Sequence, residues 1–479
     1  MRKKLYVLLA ISIIFFVAAC ANNDNAGEDG SSGDIVTLDL WNRYPELRGP
    51  FDELISNFEE EHPNIKINKQ DLPLDSHEAQ LQTAVSSGDL PDMFTTAVEL
   101  VTLVENDSVK NLDEVFTEEV RNEFYEGTWW ENGTTLNDSV YVFPFKSPQS
   151  GLMSMMYYNI DVLEQLGISE DEIPTSWDEF IAIGERILDE SDGSIAPLAW
   201  NNEGWTTDRL ASMMATAITP ENFDFFNYKE GEPAYTSDGL IESAEFLKKL
   251  FDDGIMAPNS VEVGTMDAEA HFAVGANAFW ISGSWTGNQL INDHNFENWG
   301  VTTIPTKDGK PYYFPAASET DGLQVNNDTE HWEEVKVFLE YALENLHEIL
   351  YVNTGLGVPA KMGVEGEYAF EQQADIAELE INNVIQAPKP GQINFDTIQF
   401  EKDFNSALDI GGVGDAIIGY LSGNVANIET ELEEMDEEAK ELFSKKLEED
   451  ENVSREDFIF ENWVPFEPFV EEDYEELAE

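Results

Sequence analysis

The stretch from Ile35 to Thr96 leaves few folds open. Ile35-Val36-Thr37-Leu38-Asp39-Leu40-Trp41 alternates apolar and polar residues and reads as a strand. Phe51, Leu54, Ile55 and Phe58 recur at helical spacing, and that helix must stop before Pro63. Ile65–Ile67 predicts a second strand. Ser76 is placed to cap a helix carrying Leu81, Ala84 and Val85, with Gly88 at its end. Asp92–Thr96 completes the run as a third strand. This βαβαβ order predicts an α/β protein with a mainly parallel sheet and helices on both faces. Ligands of open α/β sheets collect at the carboxyl ends of strands. Residues just after strands are therefore the first candidates for a site.

The alternation continues. Tyr141–Phe145, Leu152–Tyr158, Ile195–Trp200, Ala278–Ile281 and Trp299–Ile304 are strand-like. Ser176-Trp177-Asp178-Glu179 is a capping box ahead of an amphipathic run to Leu188, and Ser237 caps a helix reaching Asp252. Residues from Trp332 onward read as largely helical, with 429–450 as an acidic surface helix pair. The aromatics Phe458, Phe460, Trp463, Phe466 and Phe469 predict an extended strap packed along the body. Roughly 445 residues after residue 33 imply more than one domain.

The N-terminus reads as an address. A basic start, Met1-Arg2-Lys3-Lys4, precedes an apolar run from Leu5 to Ala19. That run is about 15 residues, short of the ~20 a bilayer span needs, and fits a secretory signal. The sole cysteine, Cys20, follows Val17-Ala18-Ala19, so no disulfide within one chain is possible. VAAC resembles a bacterial lipobox, which implies a lipidated Cys20 holding the protein to a membrane; one acyl chain is marginal and two suffice. Residues 20–33 are polar and Gly/Ser/Asn/Asp-rich, as in a flexible tether.

A formal net charge of -72 argues against nucleic acid as a partner, because phosphate contacts need a basic surface. It does not force disorder, since 42% of the residues are hydrophobic and 11% aromatic, enough for a large core. The acids form a solvated shell, an arrangement suited to high external salt or high pH.

Several stretches, in order, resemble the extracellular solute-binding proteins of bacterial ABC sugar importers, the maltose-binding-protein-like group. They are FDELISNFEEEHPNIKI, AVSSGDLPDMF, VYVFPFKSPQSGLMSMMYYNIDVLEQLGI, IPTSWDEFIAIGERI and HFAVGANAFWISGSW. The resemblance covers roughly residues 35–445. It implies a two-lobed periplasmic-binding-protein-like fold, each lobe a mainly parallel sheet flanked by helices, with the ligand cleft between lobes. Lobe one is expected at 34–145 plus 305–352, and lobe two at 146–304 plus 353–479. The resemblance further implies a lipid-anchored, extracytoplasmic monomer that captures a carbohydrate, closes by hinge motion and presents itself to a membrane permease.

Sugars offer flat C–H faces and a rim of hydroxyls, so a site needs aromatic plates and polar edges. Trp285 follows a strand and Gly283. Trp200 and Trp205 flank Asn201-Asn202-Glu203-Gly204 after another. Arg43 and Glu46 follow the first strand, Thr95, Thr96 and Glu99 the third, and Glu319 lies on the return toward lobe one. These are the candidate ligand contacts. A glycoside hydrolase is the alternative, but a facing pair of carboxylates cannot be picked out among 97 acids. A binder of another solute is the third reading. The six histidines show no i,i+4 pair, and with one cysteine no metal site is expected. Gly411-Gly412-Val413-Gly414 follows a helical pattern and lacks a dinucleotide fingerprint's context, so no cofactor is expected.

Overall fold

The computed structural model describes residues 35–478 apart from 45, 46, 99, 126, 132, 153 and 316–321. Strand β1 (Val36–Asn42), helix α1 (Arg48–Glu61), strand β2 (Ile65–Asp71), helix α2 (Leu74–Ser87) and strand β3 (Met93–Thr95) realise the βαβαβ reading. α1 turns Phe51, Leu54, Ile55 and Phe58 inward, the four positions the periodicity picked out. α2 begins at Leu74, two residues ahead of the expected Ser76 cap, and ends at Gly88 with φ 75°, a left-handed cap that glycine adopts without cost.

β1 pairs in parallel with β2, Leu38 opposite Ile67, and with β3, Leu40 opposite Met93. Phe143–Pro144 forms a short strand β4, less than the expected Tyr141–Phe145. The chain then builds a second sheet from β5 (Met155–Asn159), β6 (Ala196–Ala199), β7 (Asn277–Ser282) and β8 (Trp299–Thr302), in spatial order β8-β5-β7-β6. β6 and β7 are parallel, whereas β5 runs antiparallel to both its neighbours. Finally β9 (Gly322–Val325) returns to the first sheet and pairs antiparallel with β3 and β4, giving the order β2-β1-β3-β9-β4.

Each sheet has its own core. Leu38, Leu40, Phe51, Phe58, Phe143, Phe145 and Leu323 share one with Phe338 and Leu339 of the helix Trp332–His347. Met156, Tyr157, Phe180, Phe279, Trp280 and Trp299 share the other. Burying a Phe such as Phe180 or Phe279 contributes about 1.5–3 kcal/mol. α3 (Trp177–Glu190) carries the expected capping box: Glu179 N donates to Ser176 Oγ at 3.3 Å, and Ser176 N to Glu179 Oε2 at 3.1 Å. Trp177 stacks on Phe246 with ring centroids 4.5 Å apart and donates to Pro305 O.

The crossings fall later than sequence placed them. Thr306 N bonds Thr175 O at 3.1 Å and Tyr312 lies in the second core, so residues 305–315 belong there rather than to lobe one. The capping turn before α3 provides the partner that holds them. Ala360 packs in the first core and bonds Phe145 O at 3.2 Å, so the return runs past 352.

Residues 428–449 form one helix, not a pair. Its buried Asp436 accepts from Tyr235 N at 2.8 Å, which fixes an acidic run onto the body. The tail is a strap only in part. Phe458, Phe460, Trp463 and Phe469 are buried, Phe466 is exposed, and Glu471–Ala478 is helical. Phe469 N bonds Gln386 O at 2.8 Å, and Lys389 N donates to Tyr474 Oη at 2.9 Å. The segment so held reaches into the first lobe. Gln386 Nε2 donates to Gly127 O (3.2 Å), Gln392 Nε2 donates to Glu131 O (2.7 Å), and Lys389 Nζ sits 3.5 Å from the Trp130 ring centre. No helix among the described residues is long and apolar enough to cross a membrane.

Candidate functional site

Four strand ends carry the candidate residues. After β1 the buried Asn42 shapes the turn. Its amide donates to Tyr44 O (3.0 Å) and Asp71 Oδ1 (2.7 Å), and its carbonyl accepts from Tyr44 N (3.0 Å). Arg43 N donates to Thr95 Oγ1 at 3.0 Å, tying the β1 and β3 loops together. The Arg43 guanidinium stands 4.9 Å from the Tyr44 ring centre, a cation–π contact. Tyr44 Oη and Thr96 Oγ1 are 3.0 Å apart, and Gly322 N also reaches Thr96 Oγ1.

Beneath this loop lies the fully buried His77, a residue sequence reasoning passed over. Its Nε2 is 3.2 Å from Thr95 O. A carbonyl can only accept, so Nε2 carries the proton. Burial, together with repulsion from Arg43, holds the imidazole below its usual pKa and therefore neutral.

On the second lobe, β6 leads into Trp200 and the buried Asn201, then into the helix α4 (Gly204–Thr216). Asn201 Oδ1 accepts from Glu203 N (2.9 Å) and Thr206 Oγ1 (2.8 Å), which turns Glu203 toward the helix start. Glu203 Oε2 accepts from Trp205 Nε1 at 2.6 Å, and Oε1 from Thr265 N at 3.1 Å. Partial burial pushes this carboxyl up, but the bonds from Thr265 and Trp205 outweigh it and leave the group below the usual carboxylate range. Glu203 is an ionised acceptor beside an aromatic plate.

β7 ends at Ser282, beside β6, and the loop Gly283–Trp285 follows. Trp285 folds back over Gly283. A Cβ there would lie 2.1 Å from the indole, so only glycine admits this placement. The Trp205 and Trp285 rings lie 6.1 Å apart at 36°, Trp205 45% exposed and Trp285 half-buried. Together they form a broad, partly open aromatic face with a carboxylate at its edge.

Sequence-derived candidates divide accordingly. Trp205 and Trp285 come together, while Arg43 and Thr96 stand in the adjoining loops that follow β1 and β3. Thr95 and Trp200 move from contact to support. Thr95 is fully buried with its hydroxyl engaged by Arg43 N, and Trp200, 2% exposed, packs 6.4 Å from Trp280 in the core. Both lie at strand ends that are buried on both faces, so no side chain there reaches solvent. Glu46, Glu99, Glu319 and Cys20 lie outside the described residues. No cluster of metal-ligating side chains occurs among the described residues.

The glycine run 411–414 has a packing role. A Cβ on Gly414 would fall 1.9 Å from Gly204 O, so glycine lets the helix Val413–Ser422 press against the start of α4.

Comparison with known proteins agrees with this architecture. A multiple sugar-binding protein of Streptococcus mutans is 25% identical over 348 residues, 71% of this chain and 78% of the relative. An arabinooligosaccharide-binding protein of Halalkalibacterium halodurans is 22% identical over 79% of this chain and 81% of its own length. Among solved structures, the apo form of RafE from Streptococcus pneumoniae superposes with a TM-score of 0.61 at 19% identity. It matches 87% of this chain and all of that one, 100%. A chitin oligosaccharide binding protein gives 0.60 at 18% identity, over 86% and 100% of the two chains. These similarities establish the two-lobed fold with a cleft between its lobes. The profile of the bacterial extracellular solute-binding proteins matches residues 44–345. By that match over more than half its length, the chain belongs to the bacterial extracellular solute-binding proteins, which bind their solutes rather than transform them.

Proposed function

We propose that the protein captures a carbohydrate, an oligosaccharide in particular, and delivers it to an ABC importer by closing its two lobes. It does so as a monomer lipid-anchored through Cys20 on the outer face of the cell membrane. The observation that carries the ligand class is the Trp205–Trp285 face with Glu203 at its rim. Indole planes match the C–H face of a pyranose, and an ionised carboxylate accepts from its hydroxyls. Arg43 and Thr96 on the other lobe supply the opposing polar edge, with Glu46, Glu99 and Glu319 as further contacts. Contact from both lobes makes the closed state the better binder, so ligand shifts the population toward closure.

The test is thermal unfolding of residues 21–479 at high salt against mono- and oligosaccharides, with supernatants assayed for breakdown. A sugar at 100 times its dissociation constant stabilises by about 2.7 kcal/mol. A shift with one sugar and no turnover supports the reading. No shift with any sugar transfers it to peptides or small osmolytes, and sugar breakdown to a hydrolase. Cys20→Ser should release the protein to the medium.

A further inference from the structure

A buried carboxylate in the second lobe has no part in the ligand reading, yet it touches the structure that supports it. Glu380, on the helix Gln373–Asn383, is wholly inaccessible to solvent. Its Oε1 accepts from Gly151 N at 2.5 Å and from Leu152 N at 3.2 Å. Those two residues end the first crossing between lobes. That crossing runs beside the return segment near 358, with Ser147 N bonded to Val358 O at 2.9 Å and Val358 N to Ser150 Oγ at 3.1 Å. Gly151 adopts φ 99°, which an L side chain rarely does, so the turn there is specified by the glycine as well as by the carboxylate.

The same residues hold the aromatic loop. Leu152 O accepts from Ser284 N at 3.0 Å, one residue before Trp285. The Ser284 hydroxyl lies beside the Glu380 carboxylate. Tyr157 Oη donates to Gly283 O at 2.9 Å. We propose that Glu380 is a positioning residue: it fixes the Gly151–Leu152 turn, and through Leu152 and Ser284 it sets the loop that carries Trp285, so that hinge geometry and the aromatic plate move as one unit. The proposal rests on Trp285 being part of the ligand site.

Stability alone does not explain a carboxylate at this position. Burial raises its pKa, and the bonds from Gly151, Ser284 and Leu152 offset this only in part. A raised carboxyl pKa means the folded chain holds the proton more tightly than the unfolded one. Stability therefore falls as pH climbs from the ordinary carboxyl value through the raised one. The titratable groups facing Glu380 among the described residues are Lys146, which favours its charge, and Tyr157, whose own pKa is raised well above normal by burial and then by Glu380. A glutamine would fill the same space and accept the same two bonds without that loss, though more weakly because it carries no charge.

The test compares wild type with Glu380→Gln. With no ligand present, the variant should melt no lower than wild type, and its advantage should grow with rising pH. Amide hydrogen exchange at Gly151, Leu152 and Ser284 should nonetheless quicken tenfold or more. Titration with maltotriose should show about tenfold weaker binding. Exchange at Ser284 that stays at the wild-type rate overturns the proposal. A lower melting point with faster exchange across the whole lobe also overturns it, because that is the mark of a structural prop. If wild type binds no sugar, the carbohydrate reading fails, and the exchange result still decides the role of Glu380.

Discussion

Gly283→Ala is the sharpest probe of the aromatic site. The new Cβ would stand 2.1, 2.2 and 2.5 Å from three atoms of the Trp285 six-membered ring. Ordinary carbon contacts need ~3.5–4.0 Å, so the indole must retreat by more than 1 Å. Backbone strain adds nothing, because Gly283 has no positive φ. Overpacking of this kind costs about 1–3 kcal/mol in a rigid core. Trp285 is only half-buried and can swing outward, so the loss should sit near the lower end. Binding should suffer more than folding. Losing a stacked aromatic forfeits about 0.5–1.5 kcal/mol beyond its area. With the buried area added, affinity should drop about ten- to a hundredfold. The decisive assay is a double-mutant cycle with Trp285→Ala, followed by thermal melts and calorimetric titration. Without the indole the three contacts that make the clash are gone. Gly283→Ala should then be neutral, or stabilise by about 0.4–1 kcal/mol through the unfolded chain. Costs that add across the two sites would refute the argument that the ring lies on Gly283.

The other predictions concern folding and pH. Gly414→Ala places a Cβ 1.9 Å from the Gly204 carbonyl, a backbone atom that cannot swing aside, and should lower stability by about 1–3 kcal/mol in a denaturant melt. His347 is buried with Nε2 on Pro144 O, and burial lowers its pKa from 6.5 to about 4. Its neutral form is favoured on folding, so its contribution is complete above the unfolded value and is lost as pH falls from 6.5 toward 4. The slope should approach about 1.4 kcal/mol per pH unit. His347→Gln keeps the donor and should flatten the difference curve over that window. Trp463 is 3% exposed among Phe460, Phe469 and Tyr313, so Trp463→Ala should cost about 3–5 kcal/mol and quicken hydrogen exchange in residues 385–392.

The fold was legible because its signals are local. Phe51, Leu54, Ile55 and Phe58 mark the buried face of a helix by spacing alone, and Ser176 with Glu179 marks a helix start by hydrogen-bonding chemistry. Trp285 drew notice because it follows a strand end and a glycine; that its ring lies over Gly283 is visible only in the structure. The support beneath the site was not. Glu380 is one of 97 acids, and its partners Gly151 and Leu152 lie more than two hundred residues away. His77 bonds a backbone carbonyl, which no residue pattern records. Trp200 was misjudged because burial after a strand end depends on what packs above it, here Trp280. The acidic run 429–450 reads as a pair of helices, whereas residues 428–449 form one, docked on the body where Asp436 accepts from Tyr235 N.

The bridge from Gln386 to Gln392 has a mechanical consequence. Two bodies joined at one point can swivel in any direction. Among the described residues they meet at the paired crossing segments near 147 and 358 and, well apart from these, at the contacts of Gln386, Lys389 and Gln392 with residues 127–131. Two separated pins define an axis. Lobes turning about such an axis would keep one rotational freedom, like a door on two knuckles, with the C-terminal tail as the bolt that holds the second knuckle in its frame.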